Sequence, residues 1–288
     1  MSSLTLRHYF SLVKFSHTVF ALPFAVIGFF LGVEHLGTTP DWTLFIKVVL
    51  CMVFARSAAM GFNRYIDRGF DEKNARTAIR EIPAGHISPQ AAVLFVITMS
   101  GLFMATTWFI NPLCFLLSPV ALAVILGYSL TKRFTWLCHL VLGLGLSLAP
   151  IGAFLAVTGA FSILPLLFSF AVLFWTAGFD IIYALQDEDF DRFEELFSIP
   201  VWLGTKKALA LSSVLHFFTA LFIATAGIIG NFGIFYWLGA AVFLSLLVYQ
   251  HSIVKHNDLS RVNLAFGTTN GIASVLFAVF FLTGYFLR

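Results

Sequence analysis

The chain has 288 residues, 59% of them hydrophobic and 11% charged, against roughly 45–50% and 25% in soluble domains. With 35 phenylalanines and a mean hydropathy of +0.93, it cannot build a water-soluble surface, and its solvent is lipid. The formal charge of +3, thinly spread, excludes a nucleic-acid footprint, and Cys51, Cys114 and Cys138 lie singly in apolar runs that suit neither a disulfide framework nor a zinc site.

Arg7 and Lys14 precede the first apolar segment, 18–33. With so many further spans behind it, that segment reads as a retained helix and not a cleaved signal. The second span, 42–62, carries Lys47 and Arg56. An ionisable residue inside a span is a functional hypothesis by default, so Arg56 is a candidate, whereas Lys47 sits near the far face and is placed to snorkel. Residues 91–131, 134–179 and 208–254 contain no Asp, Glu, Lys or Arg. Each run is about twice the roughly 20 residues that cross a bilayer, and so reads as a helical hairpin. The breaks fall at Asn111-Pro112, Thr158-Gly159 and Gly230-Asn231. The spans are then 91–110, 112–128, 136–157, 163–183, 208–229 and 232–250, and the charge-free run 262–287 supplies a last one at 262–286. The expectation is a single all-α domain over 1–288, a bundle of nine membrane helices around a central cavity.

With the N-terminus inside, the inner segments carry 14 basic residues and the outer ones only Arg288. That asymmetry supports nine helices with the N-terminus on the cytoplasmic side. The remaining charge is concentrated: nine charged residues lie in 63–81 and eight in 180–195, both on the inner face. Asn63, Asp67 and Asp71 recur at i, i+4 and i+8, and Asp180, Asp187 and Asp191 at i, i+7 and i+11. At about 100° per residue each set occupies one helical face, provided the helices run on past the apolar spans, while Glu188 and Asp189 point elsewhere. Two carboxylate ridges supply hard oxygen ligands of the kind Mg²⁺ prefers. Arg64, Arg68, Arg76, Arg80, Lys132 and Arg133 supply cations for phosphate oxygens. Metal ridges and basic residues at one interface of an apolar bundle suggest a diphosphate with a hydrocarbon tail. His139 and His216, in apolar surroundings without ligand spacing, read as satisfied interior residues.

Asn63-Arg64-Tyr65-Ile66-Asp67-Arg68-Gly69-Phe70-Asp71 resembles the first aspartate motif of the UbiA family of intramembrane aromatic prenyltransferases. Asp180-Ile181-Ile182-Tyr183-Ala184-Leu185-Gln186-Asp187-Glu188-Asp189-Phe190-Asp191 is similar to the second. Arg56 seven residues before Asn63, Arg76-Thr77 with Arg80 and Gly85, and Tyr128-Ser129-Leu130-Thr131-Lys132-Arg133 are in register, so the resemblance spans nearly the whole chain. Arg64 departs from it, standing where many members carry another Asp.

The resemblance implies Mg²⁺ held by Asn63, Asp67, Asp71, Asp187 and Asp191, with Lys132 and the arginines on the diphosphate of a polyprenyl donor. Ionisation gives an allylic cation, and an aromatic acid attacks it at the carbon ortho to its hydroxyl. Arg56 pairs the acceptor carboxylate or the diphosphate, and Tyr128 and Asp180 complete the substrate site. Lys14, before Phe15-Ser16-His17-Thr18-Val19-Phe20, is a further weak diphosphate candidate. Two acceptors compete, 4-hydroxybenzoate on the ubiquinone route and 1,4-dihydroxy-6-naphthoate on a menaquinone route; the segments 67–71 and 80–85 look more like the naphthoate-associated subgroup. No obligate protein partner is implied. A CDP-alcohol phosphotransferase would need a D-G-x-x-A-R motif that is absent, and a secondary transporter would place its ionisable groups at mid-membrane and not at one interface.

Overall fold

The computed structural model describes residues 8–9, 11–13 and 20–287, so Arg7, Lys14, Phe15–Val19 and Arg288 lie outside the described residues. It is all-helical, and among the described residues the only β-type pairing is a bridge between Lys255 and Asp258. Eight helices are long and apolar enough to cross a membrane, and a shorter apolar helix, α1 (Leu22–Leu36), makes the ninth expected span. This is an integral, multi-pass membrane protein.

The helix ends explain why the hairpins turn where they do. In α2 (Trp42–Ile66) the Asp41 carboxylate accepts from the Thr43 and Leu44 amides at 2.8 and 3.2 Å. Ser88 caps α4 (Pro89–Trp108), and Asn111 caps α5 (Pro112–Thr131), each followed by a proline whose missing N–H costs nothing in a first turn. The Asn111 amide also donates to the Leu155 carbonyl at 2.8 Å, fastening the far-side loop to α6 (Cys138–Thr158). That helix stops at Gly159, whose φ of +66° is open to glycine without strain. α7 (Ile163–Ala184) completes the hairpin, and α10 (Thr205–Ile229) and α11 (Ile234–Ile253) form the next. The last span opens with a π-turn over Leu264–Thr269 before α12 (Asn270–Phe286).

Without a hydrophobic drive between helices in lipid, close backbone approach holds such a bundle together. Gly143 on α6 lies against the Leu173 carbonyl of α7, where a Cβ would overlap it, and Gly28 on α1 faces the Pro150 backbone of α6 in the same way. The buried centre is aromatic, with Trp175, Phe24, Phe168, Phe243 and Phe277 from α7, α1, α11 and α12 in mutual contact. α7 runs through the middle, packed against both α6 and α10, so what it presents at its C-terminal end faces the interior.

Three short helices carry the chain beyond the spans at one end: α3 (Arg68–Lys73), α8 (Glu188–Phe193) and α9 (Ile199–Leu203). α3 continues α2 after Asp67, whose amide still donates to the Asn63 carbonyl, so the i, i+4, i+8 ridge survives. The second ridge differs from a regular helix. A 3₁₀ turn over Leu185–Asp187 separates α7 from α8. At about 120° per residue in place of 100° it rotates Asp187 only about 40° from Asp180, which keeps it on the inner side.

Candidate active site

The two extended helices, the C-terminal end of α5 and the N-terminal end of α6 enclose a cavity of about 270 Å³. Arg56, Asn63, Arg64, Asp67, Asp71, Arg76, Arg80, Tyr128, Lys132, Arg133, Asp180, Asp187 and Asp191 all line it. The sequence spacing therefore brings these thirteen side chains to one place, whereas Arg68, also singled out, turns back to donate to the Tyr65 carbonyl at 2.6 Å. Asp189 is exposed outside it, and Glu188 is turned away to Arg192 at 3.1 Å and Thr205 at 2.8 Å.

Every ridge aspartate has one basic partner. Arg133 reaches Asp67 at 2.9 Å, Arg80 reaches Asp71 at 2.6 Å, and Lys132 Nζ lies 2.6 Å from Asp191 Oδ1. Arg76 grips Asp187 through two nitrogens and donates from a third to the Tyr183 hydroxyl at 2.9 Å. Asn74 adds a bond to Asp187 at 3.3 Å, so the segment after α3 ties the first ridge to the second. Burial alone would lower the Lys132 ammonium, but the Asp191 and Asp187 carboxylates more than offset it and raise its pKa. Arg76 behaves likewise beside Asp187, and both stay cationic.

The pairing is incomplete where it matters. Asp71 Oδ2 is buried without a hydrogen bond, and Asp191, 1% exposed, is held in its ion pair with Lys132. The Nε atoms of Arg56 and Arg64 are buried and unpaired as well, and neither arginine has a carboxylate partner among the described residues. Leaving such groups unmade costs about 1–3 kcal/mol each, more when charged. Arg64, only 3% exposed, puts a cation where the family resemblance expects a carboxylate. Among the described residues the carboxylates are not gathered into a preformed metal cluster, but the free oxygen of Asp71 is a hard donor of the kind a divalent cation takes, and unpaired guanidiniums fit an anion.

Sequence reasoning did not find His139 or Thr176. Both are buried and both line the cavity. His139 is satisfied, as expected of an interior histidine, but its partner is Asp180 at 2.7 Å, across 41 residues. A spacing signal exists, since His139, Leu142 and Leu146 line the cavity from one face of α6, but no local pattern joins His139 to Asp180. His216 is satisfied elsewhere, by His251 at 2.7 Å and the Trp175 carbonyl at 3.2 Å. Lys47 donates to the Phe109 carbonyl at 2.9 Å, capping the far end of α4.

Known proteins resemble this chain in sequence and in fold. A 4-hydroxybenzoate octaprenyltransferase from Aeromonas hydrophila is 30% identical over 83% of each chain, and one from Tolumonas auensis is 28% identical over the same share. The apo structure of a UbiA homolog from Aeropyrum pernix K1 superposes with a TM-score of 0.80 at 29% identity, covering 94% of this chain and 97% of that one. A UbiA homolog from Archaeoglobus fulgidus, bound to GPP and Mg²⁺, has the same fold with a TM-score of 0.73 at 24% identity, over 96% of this chain and 99% of that one. Residues 21–286 match the model of the UbiA prenyltransferase family, and the chain belongs to that family of membrane-embedded prenyltransferases.

Proposed function

We propose that this prenyltransferase is Mg²⁺-dependent and moves a polyprenyl group from its diphosphate to the ring of a hydroxylated aromatic acid, at the carbon ortho to the hydroxyl, in quinone biosynthesis. One observation carries the reading: a buried unpaired carboxylate oxygen on Asp71, three further ridge carboxylates each held by a base, and the unpaired guanidinium Nε atoms of Arg56 and Arg64 belong to residues that line the same cavity. Such a surface is complementary to a ligand that is itself a metal cation with a polyanion.

Asn63, Asp67, Asp71, Asp187 and Asp191 would hold the metal, which when bound supplies positive charge against the diphosphate. Lys132, Arg76, Arg80 and Arg133, now shared with the carboxylates, turn toward the departing pyrophosphate and stabilise the charge that grows on it. Arg56 lies a few turns deeper on α2, where a planar guanidinium meets a carboxylate in a bidentate fork. The apolar lining, including Leu142, Leu146, Phe179 and Phe266, keeps water from the allylic cation. The whole chain acts as one unit, with the cavity mouth facing the cytoplasm of a bacterium and the bundle in its inner membrane. 4-Hydroxybenzoate is the acceptor in the relatives' names, and 1,4-dihydroxy-6-naphthoate is its competitor.

Purified protein given labelled prenyl diphosphates and each acid should release pyrophosphate and yield one prenylated acid by mass, with EDTA stopping both. Full turnover in EDTA would overturn the reading. Cysteines introduced at Thr77 and Glu194 should label from the cytoplasmic side and those at Gly159 and Asn231 from the other, and the reverse pattern would overturn the orientation.

A further inference from the structure

The cavity has a second polar corner, away from the metal ridges. Asp180 sits near the end of α7, two turns deeper than Asp187, with Thr176 one turn deeper again on the same face. Thr176 borders the cavity but is fully buried, and its hydroxyl has no hydrogen-bond partner. Asp180 Oδ2 is held at 2.7 Å by His139 Nδ1. The far nitrogen, Nε2, accepts from the Ile199 amide at 3.3 Å. An amide N–H can only donate, so Nε2 carries no proton and Nδ1 is the protonated nitrogen that donates to Asp180. The imidazole is thereby fixed in tautomer and in orientation by backbone on one side and carboxylate on the other. No hydrogen bond occupies Asp180 Oδ1 among the described residues, and the carboxylate is 21% exposed, into the cavity.

A histidine that is 3% exposed, spent on orienting a carboxylate whose free oxygen faces a cavity, matches the arrangement by which a base is held for a proton it must collect. We propose that Asp180 accepts the proton of the acceptor's ring hydroxyl, and that His139 is the positioning residue that aims Asp180. The inference rests on the transfer to a hydroxylated aromatic acid argued above.

The step balances as follows. As a ring π pair forms the new C–C bond to the allylic carbon, an oxygen lone pair becomes C=O, the O–H pair stays on oxygen, and the proton goes to Asp180 Oδ1. The dienone then regains aromaticity: the C–H at the new bond breaks, its electron pair returns to the ring, that proton leaves to water at the cavity mouth, and oxygen takes its proton back from Asp180. One proton is released per transfer, and the base is restored. Positive charge never accumulates on the ring.

The test compares a phenolic acceptor with its methyl ether, which has no proton to give. Wild-type transfer of the prenyl group to the aromatic acid is measured first, and its absence would overturn the proposed function and not merely this step. The wild type should prefer the phenol at least tenfold. Asp180→Asn should cut transfer to the phenol by about 10²-fold or more, the usual scale of general base catalysis, and shrink the preference to a few-fold. His139→Leu, which removes the donor, should reduce kcat on the phenol about tenfold or more without raising the donor KM. His139→Gln, whose carboxamide can both donate to Asp180 and accept from the Ile199 amide, should restore most of the preference. Equal losses on phenol and ether, or His139→Gln as poor as His139→Leu, would overturn the proposal. The His139 pair decides the matter even if Asp180→Asn fails to fold.

Discussion

The molecule holds two polar clusters inside an apolar bundle, and they are built on opposite plans. In the cavity the groups are charged, partly exposed, and left with unpaired atoms on Asp71, Arg56 and Arg64. In the C-terminal half the groups are uncharged in kind, mostly buried, and joined to one another. Trp175 Nε1 donates to Asn270 at 2.8 Å, Asn270 donates to Gln250 at 3.2 Å, and Gln250 approaches His216 at 3.5 Å. His216 donates to the Trp175 carbonyl at 3.2 Å and accepts from His251, whose other nitrogen meets Ser213 at 3.3 Å. The second cluster ties α7, α10, α11 and α12 into one piece, as satisfied networks do in lipid. A closed circuit has nothing left to offer a ligand, whereas the open cluster stores its unmet valences for one.

The contrast predicts opposite phenotypes. The largest effects belong to the cavity: EDTA should abolish turnover, and Asp71→Asn, Asp187→Asn and Asp191→Asn should each lower kcat by about 10²-fold or more, with thermal stability in detergent barely changed. Wild-type rates in two of these variants would break the site. Next, steady-state kinetics should separate the two kinds of cation. Lys132→Ala should raise the donor KM and reduce kcat, because the charge it meets grows in the transition state. Arg56→Ala should chiefly raise the acceptor KM, about tenfold or more, and a decarboxylated acceptor should lose little further. Donor binding weakened by Arg56→Ala with acceptor affinity intact would move Arg56 to the diphosphate.

In the closed cluster the expected sign reverses. Gln250→Leu should leave KM values near wild type and destabilise the detergent-solubilised protein by about 0.6–1.7 kcal/mol, between the average and the largest values measured for polar pairs between membrane helices. A kinetic defect without loss of melting temperature would erase the distinction between the clusters. Smallest of all, Asp189→Asn, exposed beside the ridge and facing away from the cavity, should change rates less than a few-fold.

Much of the open cluster was legible in the sequence because charge is scarce there: two dense patches in a chain otherwise nearly free of it, each with helical spacing, needed only helices that run on past the apolar spans. Asn111-Pro112 and Gly159 marked their turns through capping chemistry that acts locally. The closed cluster was not legible. Gln250 and Asn270 are uncharged residues in charge-free runs, and nothing local distinguishes a carboxamide destined for a partner 95 residues away from one at a helix surface. The same holds for His139 and Asp180, which are neighbours only because α6 and α7 pack closely at Gly143. The 3₁₀ turn at Leu185–Asp187 escaped for a related reason, since a small change of helical pitch leaves the pattern of side chains along the face almost intact.

The size of the cavity has a consequence for how this catalysis is to be quantified. About 270 Å³ is at the small end of sites that enclose a single drug-sized molecule. On the proposed reaction a diphosphate, an aromatic acid and the first isoprene units would fill it, leaving the rest of a long polyprenyl chain outside, along the helices among acyl chains. The bilayer is then a competing solvent for the tail as well as the medium that delivers it. Donor affinity is properly a partition between lipid and protein, and saturation should follow the donor's mole fraction in the membrane, shifting when lipid is added at constant donor even though its molarity in the tube is unchanged.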